Sequence, residues 1–409
     1  MRKLHSQLPA MEDVPLALVE NFMKSGLTYD EISSELRERF PDRRGLSSRT
    51  VRRYCKTNNL THMTSRELQD LVEQAITEVG SLYGRKLMTG YLFSKGYRVS
   101  QPRVASALWE VAPEAYEGRR NDLLERSNPV PYHACHFGHK IHMDQNEKLS
   151  LFGVTSVIAR DGYSGKIVAF GIMPVKNCIA IYDLVFRKAV IENGLWHQVR
   201  VDHGREFYLV LRIQDHLRTN RGPRSIASYV QSPSTENLTI ERIWPEVNSR
   251  VNYPIKRLLL AMAESGTINM ESDMHKFCVS FVSCQVAHVG IKRFVESWNY
   301  HAIPGKGIPE ALSRQNNYIS AIDAADIPSV EEAIDLYESE GGSLQRYSYF
   351  GLDPLSQRPD LVLRRDEMMK RANPSFSDIF TNIIAGDGMY FENIILFCIS
   401  VTNHLSSLF

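Results

Sequence analysis

The sequence has little of what marks a secreted or membrane protein. Its six cysteines are scattered over 409 residues without a CxxC pair, which indicates free thiols in a reducing compartment. The N-terminal segment MRKLHSQLPAMEDV contains no apolar run typical of a secretory signal. The most apolar stretch, 394–401, is far shorter than the roughly 20 residues that span a bilayer. These absences predict a soluble intracellular protein.

The chain also lacks an excess of charge of one sign. Its formal net charge is +1, from 48 basic and 47 acidic residues, which alone argues against a nucleic-acid-binding protein that is basic throughout. The balance is nevertheless uneven, because residues 1–127 carry +3, residues 128–318 carry +6 and residues 319–409 carry −8. The sequence therefore predicts a basic body followed by an acidic C-terminal tail (319–409) whose role it does not reveal.

The N-terminal region carries two helical patterns. In residues 10–60 three short amphipathic helices are predicted, with Thr28 and Ser48 at helix starts, in the outline of a helix-turn-helix unit. From residue 43 to 66 there are seven basic residues and no acidic one. A DNA-reading third helix would present the basic residues found there, whereas the alternative is a solvated basic helix on an ordinary bundle. The predicted DNA contacts of this unit are Arg49, Arg52, Arg53 and Lys56.

Residues 65–115 resemble a second such unit. A long amphipathic helix is predicted from residue 66 to 83, and a last helix at 101–111 follows Ser100, with Pro102 in its first turn. Five basic residues and no acidic one lie between positions 81 and 109. Arg98 and Arg103, which flank the start of the last helix, are added to the predicted DNA contacts.

Residues 128–318 change to an α/β pattern. Short β-rich segments at 141–144, 152–160, 166–173 and 198–202 surround a helical segment at 181–193, and residues 253–300 are again largely helical. This order predicts a mixed sheet with flanking helices.

Three acidic residues in this region have settings suited to metal. Asp144 and Asp202 each follow apolar strand residues, and carboxylates at strand ends point into the crevice of an α/β sheet. Gly204, two residues after Asp202, would let the chain turn sharply. Glu241 lies in a predicted helix start after residues 232–233. Clustered carboxylates repel one another and need cations, and oxygen ligands suit Mg²⁺ or Mn²⁺.

The motifs around these acids occur in a fixed order. They comprise His142-x-Asp144, Asp161-Gly-Tyr-Ser-Gly165, Val201-Asp202-His-Gly204, the segment from Ser234 to Trp244 with Asn237, Glu241 and Arg242, and Trp298-Asn299-Tyr-His followed by Gly307-Ile-Pro-Glu-Ala-Leu. The separations between the acids are 58 and 39 residues. This series resembles the DDE transposases and retroviral-type integrases, most closely eukaryotic proteins with an integrase core and N-terminal helix-turn-helix units. The resemblance covers about residues 20–318.

The resemblance implies a ribonuclease H-like catalytic core that binds two Mg²⁺ (or Mn²⁺) ions at Asp144, Asp202 and Glu241. Water would attack a phosphodiester to free a 3′-hydroxyl, which would then attack target DNA without a covalent protein intermediate. The implied partners are element ends, target DNA and further copies of the chain, in the nucleus, with no membrane. In this comparison Asp161 matches a turn, while Trp298 and Asn299 match the motif that closes the core.

Glu241 is the least secure of the three acids. Pro245 would kink a helix that starts near Asn237, because it removes a backbone hydrogen bond to Glu241. If the helix starts nearer Trp244, the proline is harmless but Glu241 lies in a loop. Glu236 and Glu246 are the alternatives for the third acid.

The segment 133–142 contains four histidines and a cysteine, which raises the alternative of a zinc site. Its spacing lacks a second ligand pair, and a strand turns successive side chains to opposite faces, so zinc is disfavoured. A role for His203 in placing a phosphate or water is likewise disfavoured against a polar loop residue. Cys278 and Cys284 are expected in the core.

Three functions remain open. The first is an active, element-encoded DDE recombinase, and the second is a domesticated DNA-binding protein that retains the fold with weak or no catalysis. The third is a ribonuclease H-type nuclease, which shares the acids but has no need of two DNA-binding units. The intact acids favour the first.

Overall fold

The computed structural model describes residues 11, 13–116, 133–222, 225–232, 238–372 and 375–408. The predicted residues Asn237 and Glu236 lie outside this described part of the chain. No helix within it is long and apolar enough to cross a membrane.

The N-terminal region is helical and forms two three-helix units. The first unit contains α1 (Leu16–Lys24), α2 (Tyr29–Arg39) and α3 (Ser48–Thr57), and the second contains α4 (Ser65–Val79), α5 (Arg85–Ser94) and α6 (Gln101–Val111). Capping boxes start α2 and α4, since Thr28 and Thr64 each exchange hydrogen bonds with a glutamate three residues later. Each unit has its own small apolar core.

The sheet has five strands in the order β3-β2-β1-β4-β5. They are β1 (Lys140–Leu149), β2 (Val154–Asp161), β3 (Ile167–Met173), β4 (Gln198–Val201) and β5 (Tyr229–Gln231). The pairs β1–β2 and β2–β3 are antiparallel, whereas β4 is parallel to both β1 and β5. The predicted mixed sheet with flanking helices is therefore confirmed, and β5 is a strand that the sequence patterns did not indicate.

Helices cover both faces of the sheet. Between β3 and β4, α7 (Cys178–Ile181) continues through a π-helical turn (Tyr182–Arg187) into α8 (Lys188–Asn193), and α9 (Tyr208–His216) follows β4. After β5 come α10 (Leu238–Glu241), α11 (Trp244–Val247), a π-helical turn (Asn248–Asn252), α12 (Tyr253–Glu264), α13 (Asp273–Tyr300) and α14 (Pro309–Gln315). The α7–α9 face and the α10–α13 face each enclose an apolar core against the sheet.

The acidic region from residue 319 onward is also folded. It contains α15 (Val330–Ser339), α16 (Pro359–Ala372), α17 (Phe376–Ile384) and α18 (Met389–Ser406). Apolar residues of α17 and α18, including the fully buried Ile379 and Phe391, join the same core cluster as α13. Ala333 of α15 joins the cluster on the opposite face. This region therefore completes the core on both sides of the sheet.

Candidate active site

Asp144 lies on the central strand β1. Its neighbours Ile141 and Met143 point into one apolar core, so the period-2 alternation of a strand turns Asp144 to the other face. The side chain is 4% exposed. The indole N–H of Trp244 donates to its Oδ2 at 2.8 Å, and the backbone N–H of Gln145 donates to Oδ1 at 2.8 Å.

Asp202 directly follows β4, whose parallel register with β1 pairs His142 with Arg200. Continuing that register by two residues brings Asp202 alongside Asp144 on the same face of the sheet. The backbone N–H of Gly204 donates to the carboxylate of Asp202 at 3.0 Å, which closes the turn.

Gly204 has φ −67°, an ordinary backbone conformation, so the turn does not depend on the conformational freedom of glycine that the sequence suggested. A Cβ atom at this position would instead lie 2.4 Å from the carboxylate of Glu206. The glycine therefore makes room for a side chain.

Glu241 is the last residue of α10 and is half-buried. The helix breaks at residues 242–243, and Pro245 lies in the first turn of α11, where it removes no needed hydrogen bond. Of the two possibilities raised by Pro245, the helix thus restarts near Trp244, while Glu241 still lies on a short helix before the break. Glu246, the alternative third acid, is paired with Arg250 at 2.5 Å.

The three acids line one open cleft of about 470 Å³. The other residues that line it are Gln145, Asn146, Glu147, Lys148, Trp244, Pro245 and Asn248. Burial raises the pKa of Asp144 to about 7, and the negative charges of Glu241 and Asp202 add to this shift. Burial and the charge of Asp202 also raise the pKa of Glu241, against a hydrogen bond with Asp144.

Mutual repulsion in a half-buried cleft is the property that a bound cation would relieve, and an all-oxygen donor set suits Mg²⁺ or Mn²⁺. The residues present therefore fit divalent metal in chemical type. Within the described residues, however, no three His, Cys, Asp or Glu side chains are gathered closely enough to form a ready metal site.

A network of three buried asparagines lies beside the acids. Asn146 donates to Asn248 Oδ1 at 3.0 Å, and Asn252 donates to Asn146 Oδ1 at 3.2 Å and to Asn248 Oδ1 at 2.9 Å. Sequence reasoning missed this network, although Asn146 shares a strand face with Asp144. A search for polar residues two positions from the first acid could have found it.

Asp161 is fully buried, away from the cleft, and accepts four hydrogen bonds. Its donors are the N–H of Gly138, the N–H and hydroxyl of Ser164, and the indole of Trp196 at 3.0 Å. These contacts hold the β2–β3 turn and the start of β1.

The motif at 298–301 ties α13 to the same hairpin. Asn299 exchanges two hydrogen bonds with the backbone of Ile167, and the indole of Trp298 donates to the carbonyl of Gly165 at 2.9 Å.

Arg242 is exposed in the turn after Glu241, and His203 is exposed in the loop after Asp202.

Two of the four histidines in the segment 133–142 lie next to each other just before β1. The rings of His136 and His139 stack at 5.4 Å, and His197, which precedes β4, lies 5.1 Å from His136. The sequence pattern does not indicate His197, because this residue is far away along the chain.

The six predicted DNA contacts fall into two groups. Those on α3 are all exposed: Arg49, Arg52, Arg53 and Lys56. Arg98 is also exposed but forms an ion pair with Glu31 of the first unit, whereas Arg103 is half-buried and donates to the backbone carbonyl of Met63.

Comparison with known families identifies the central part of the chain. Residues 132–309 match the family model described as Integrase core domain, and this range includes all five strands and the three acids of the cleft. The ribonuclease H-like class expected from the sequence agrees with the five-stranded mixed sheet and with this match. This match supports an integrase core domain, of the kind found in integrases and DDE transposases, at residues 132–309. A search of curated proteins found no match.

Proposed function

We propose that this protein cleaves and joins DNA strands as a DDE-type integrase or transposase. Asp144, Asp202 and Glu241 would hold two Mg²⁺ or Mn²⁺ ions, which when bound activate a nucleophile and stabilise the leaving oxygen at a phosphodiester. The observation that carries the proposal is that these three carboxylates, from three different elements, line one cleft inside the integrase core domain.

The protein's own residues would act by holding the three carboxylates in position. Asp144 and Asp202 are held side by side by the register of two parallel strands, while Glu241 approaches from the helical face. Hydrolysis at an element end would free a 3′-hydroxyl, and attack of that hydroxyl on a target phosphodiester would form the new strand junction and release the other 3′ end.

DNA recognition would come from the exposed basic face of α3. The exposure of Arg49, Arg52, Arg53 and Lys56 supports this proposal, because a recognition helix presents such side chains to DNA. Contacts from these residues to phosphates would make the affinity strongly dependent on salt. Action as a homo-oligomer and a nuclear location belong to the same proposal, on the basis of the family.

The test is a strand-transfer assay with the full chain, Mn²⁺, a pool of duplexes with random terminal sequences and a plasmid target. We expect the parent to nick and join DNA, and Asp202→Asn to lose at least about 100-fold in rate because it removes a charged metal ligand. Asp326→Asn, an exposed aspartate outside the cleft, is the matched control and should match the parent.

Equal activity of Asp202→Asn and the parent would contradict the assignment of the acids. A parent that binds DNA but neither nicks nor joins it would instead favour the domesticated DNA-binding protein. That alternative has one observation in its favour, since the described acids are not gathered into a ready metal site.

A further inference from the structure

Two buried aspartates of the core each accept a hydrogen bond from an indole. Trp244 donates to Asp144 at 2.8 Å and Trp196 donates to Asp161 at 3.0 Å. The second pair lies within the structural network around the β2–β3 turn, whereas Asp144 and Trp244 both line the acidic cleft. The same chemical contact therefore occurs once inside the candidate site and once outside it.

Trp244 links two of the three acids. It lies three residues after Glu241, just beyond the break at 242–243, and its indole reaches across to Asp144 on β1. The ring is 5% exposed and packs in the core with Ile240 and Ile243, so the donor is held in place. The indole of Trp244 thus connects the helical segment that follows Glu241 to the strand that carries Asp144.

A second contact fixes the same two elements. Asn248, one helical turn after Trp244, bonds to Asn146, two residues after Asp144. Two residues of a strand rise about 6.6 Å and four residues of a helix rise about 6 Å, so the two contacts match in spacing. The helical segment is therefore aligned along β1 by two hydrogen bonds, of which the one from Trp244 ends on an acid.

An indole is suited to this task. Its N–H is a donor only, so it orients a carboxylate without competing for a cation. Groups that hydrogen-bond to metal-ligating carboxylates set the orientation of those ligands, and their loss weakens metal binding by about 10- to 100-fold.

We infer that Trp244 is a positioning residue that fixes Asp144 relative to Glu241 and so prepares the cleft for a divalent cation. This inference rests on the proposed function, because it takes the cleft to be the metal site. It assigns to Trp244 a role that is distinct from its contribution to the apolar core.

The first test measures Mn²⁺ binding to the full chain by titration calorimetry, without DNA. We expect Trp244→Phe, which keeps an aromatic ring but removes the donor, to raise the Kd for Mn²⁺ by about 10- to 100-fold. Trp196→Phe is the matched control, because it removes the same indole–carboxylate bond at Asp161. It should lower the melting temperature but leave the Kd for Mn²⁺ within about threefold of the parent.

The second test uses the unaltered sequence, so it does not depend on the folding of a variant. The four tryptophans are labelled as 5-fluorotryptophan, and their ¹⁹F resonances are assigned by single Trp→Phe changes, with Trp244 obtained by elimination if its variant does not fold. On titration with Mg²⁺, the resonance of Trp244 should shift, while that of Trp196 should not.

The outcomes distinguish a failure of the positioning role from a failure of the proposed function. If the parent binds Mn²⁺ and Trp244→Phe binds equally well, or if the Trp244 resonance stays unmoved at saturating Mg²⁺, the positioning role is wrong while the metal site stands. If the parent binds no Mn²⁺, the proposed function fails and this inference fails with it.

Discussion

The two three-helix units at the N-terminus look alike in sequence but differ in what their basic residues contact. In the first unit the basic residues of α3 are exposed to solvent. In the second unit Arg103 of α6 donates to the carbonyl of Met63, and Arg98 pairs with Glu31 of the first unit. The first unit thus presents a basic surface, whereas these arginines of the second unit serve contacts within the protein.

The second unit is also joined closely to the integrase core domain. The helix α5 packs against α13, where Ser297 donates to the carbonyl of Leu87 at 2.6 Å and Arg293 donates to the carbonyl of Glu78. Arg250, in the π-helical turn before α12, donates to the carbonyl of Leu82 at 2.8 Å. The comparison teaches that one sequence pattern can produce a unit with an exposed basic surface in one place and a connecting unit in another.

The largest expected effect is on the salt dependence of DNA affinity. Replacing Arg52 and Arg53 by glutamine should make the slope of log affinity against log salt shallower by about 2, because each lost phosphate contact contributes about 0.9. The slope is measured by fluorescence anisotropy with a labelled duplex over a series of salt concentrations.

The matched variant replaces Arg98 and Arg103 by glutamine and removes the same number of charges. Because these side chains contact protein groups, the slope should stay that of the parent. An equal loss of slope in both variants would show that the second unit also binds DNA, and the comparison would not hold.

The features that could be predicted from the sequence are those set by local patterns, whereas contacts between residues far apart along the chain could not be predicted. Four strands and the helices of the first unit were accessible, because period-2 and period-3.6 patterns are local. Asp144 and Asp202 could be paired in advance, because both follow apolar strand residues. The bonds of Arg98 and Arg103 join residues 67 and 40 positions apart, and no local pattern reports such partners.

Other parts of the fold and the site also depend on contacts that local sequence patterns do not report. The three-residue strand β5 is too short to show alternation, and the break after Glu241 depends on how residues 240–244 pack in the core. Local patterns do not reveal the role of the acidic region from 319, because its apolar residues pack against α13, a helix that precedes it by many residues. Trp244 was visible in the motif, but its bond to Asp144 spans 100 positions.

A smaller effect tests the connection between the second unit and the core. A Cβ atom at Gly90 of α5 would lie 2.5 Å from the carbonyl oxygen of Ser297 and 2.6 Å from the N atom of His301. These are backbone atoms, so Gly90→Ala should cost about 1–3 kcal/mol of overpacking, against a gain of about 1 kcal/mol in helix propensity. We expect a net loss of stability in urea unfolding.

The sign of this change is the informative result. If α5 were only loosely in contact with α13, the propensity term would dominate and Gly90→Ala would stabilise the protein. Thr89→Ala, at the adjacent position on the same helix, is the control and should change the free energy of unfolding by less than about 0.5 kcal/mol.

The smallest effect concerns the contact between the two units and its dependence on pH. Glu67 of α4 forms an ion pair with Lys24 of α1 and also caps its own helix through Thr64. The hydrogen bond from Lys24, followed by those from Thr64, lowers the pKa of Glu67 to about 2 from its usual 4.5. The stabilisation is therefore fully present above pH 4.5 and is lost as the pH falls towards about 2.

The difference in unfolding free energy between the parent and Glu67→Gln should accordingly be largest above pH 4.5 and should close as the pH falls. The effect is small because the pair is exposed and screened. Glu73→Gln, an exposed glutamate on the same helix, is the control and should vary less over this range. A difference that stays flat with pH would mean that Lys24 and Glu67 are not paired in solution. The units would then depend on other contacts, such as the bond from the Arg98 N–H to the Ser25 carbonyl at 2.7 Å, which does not titrate.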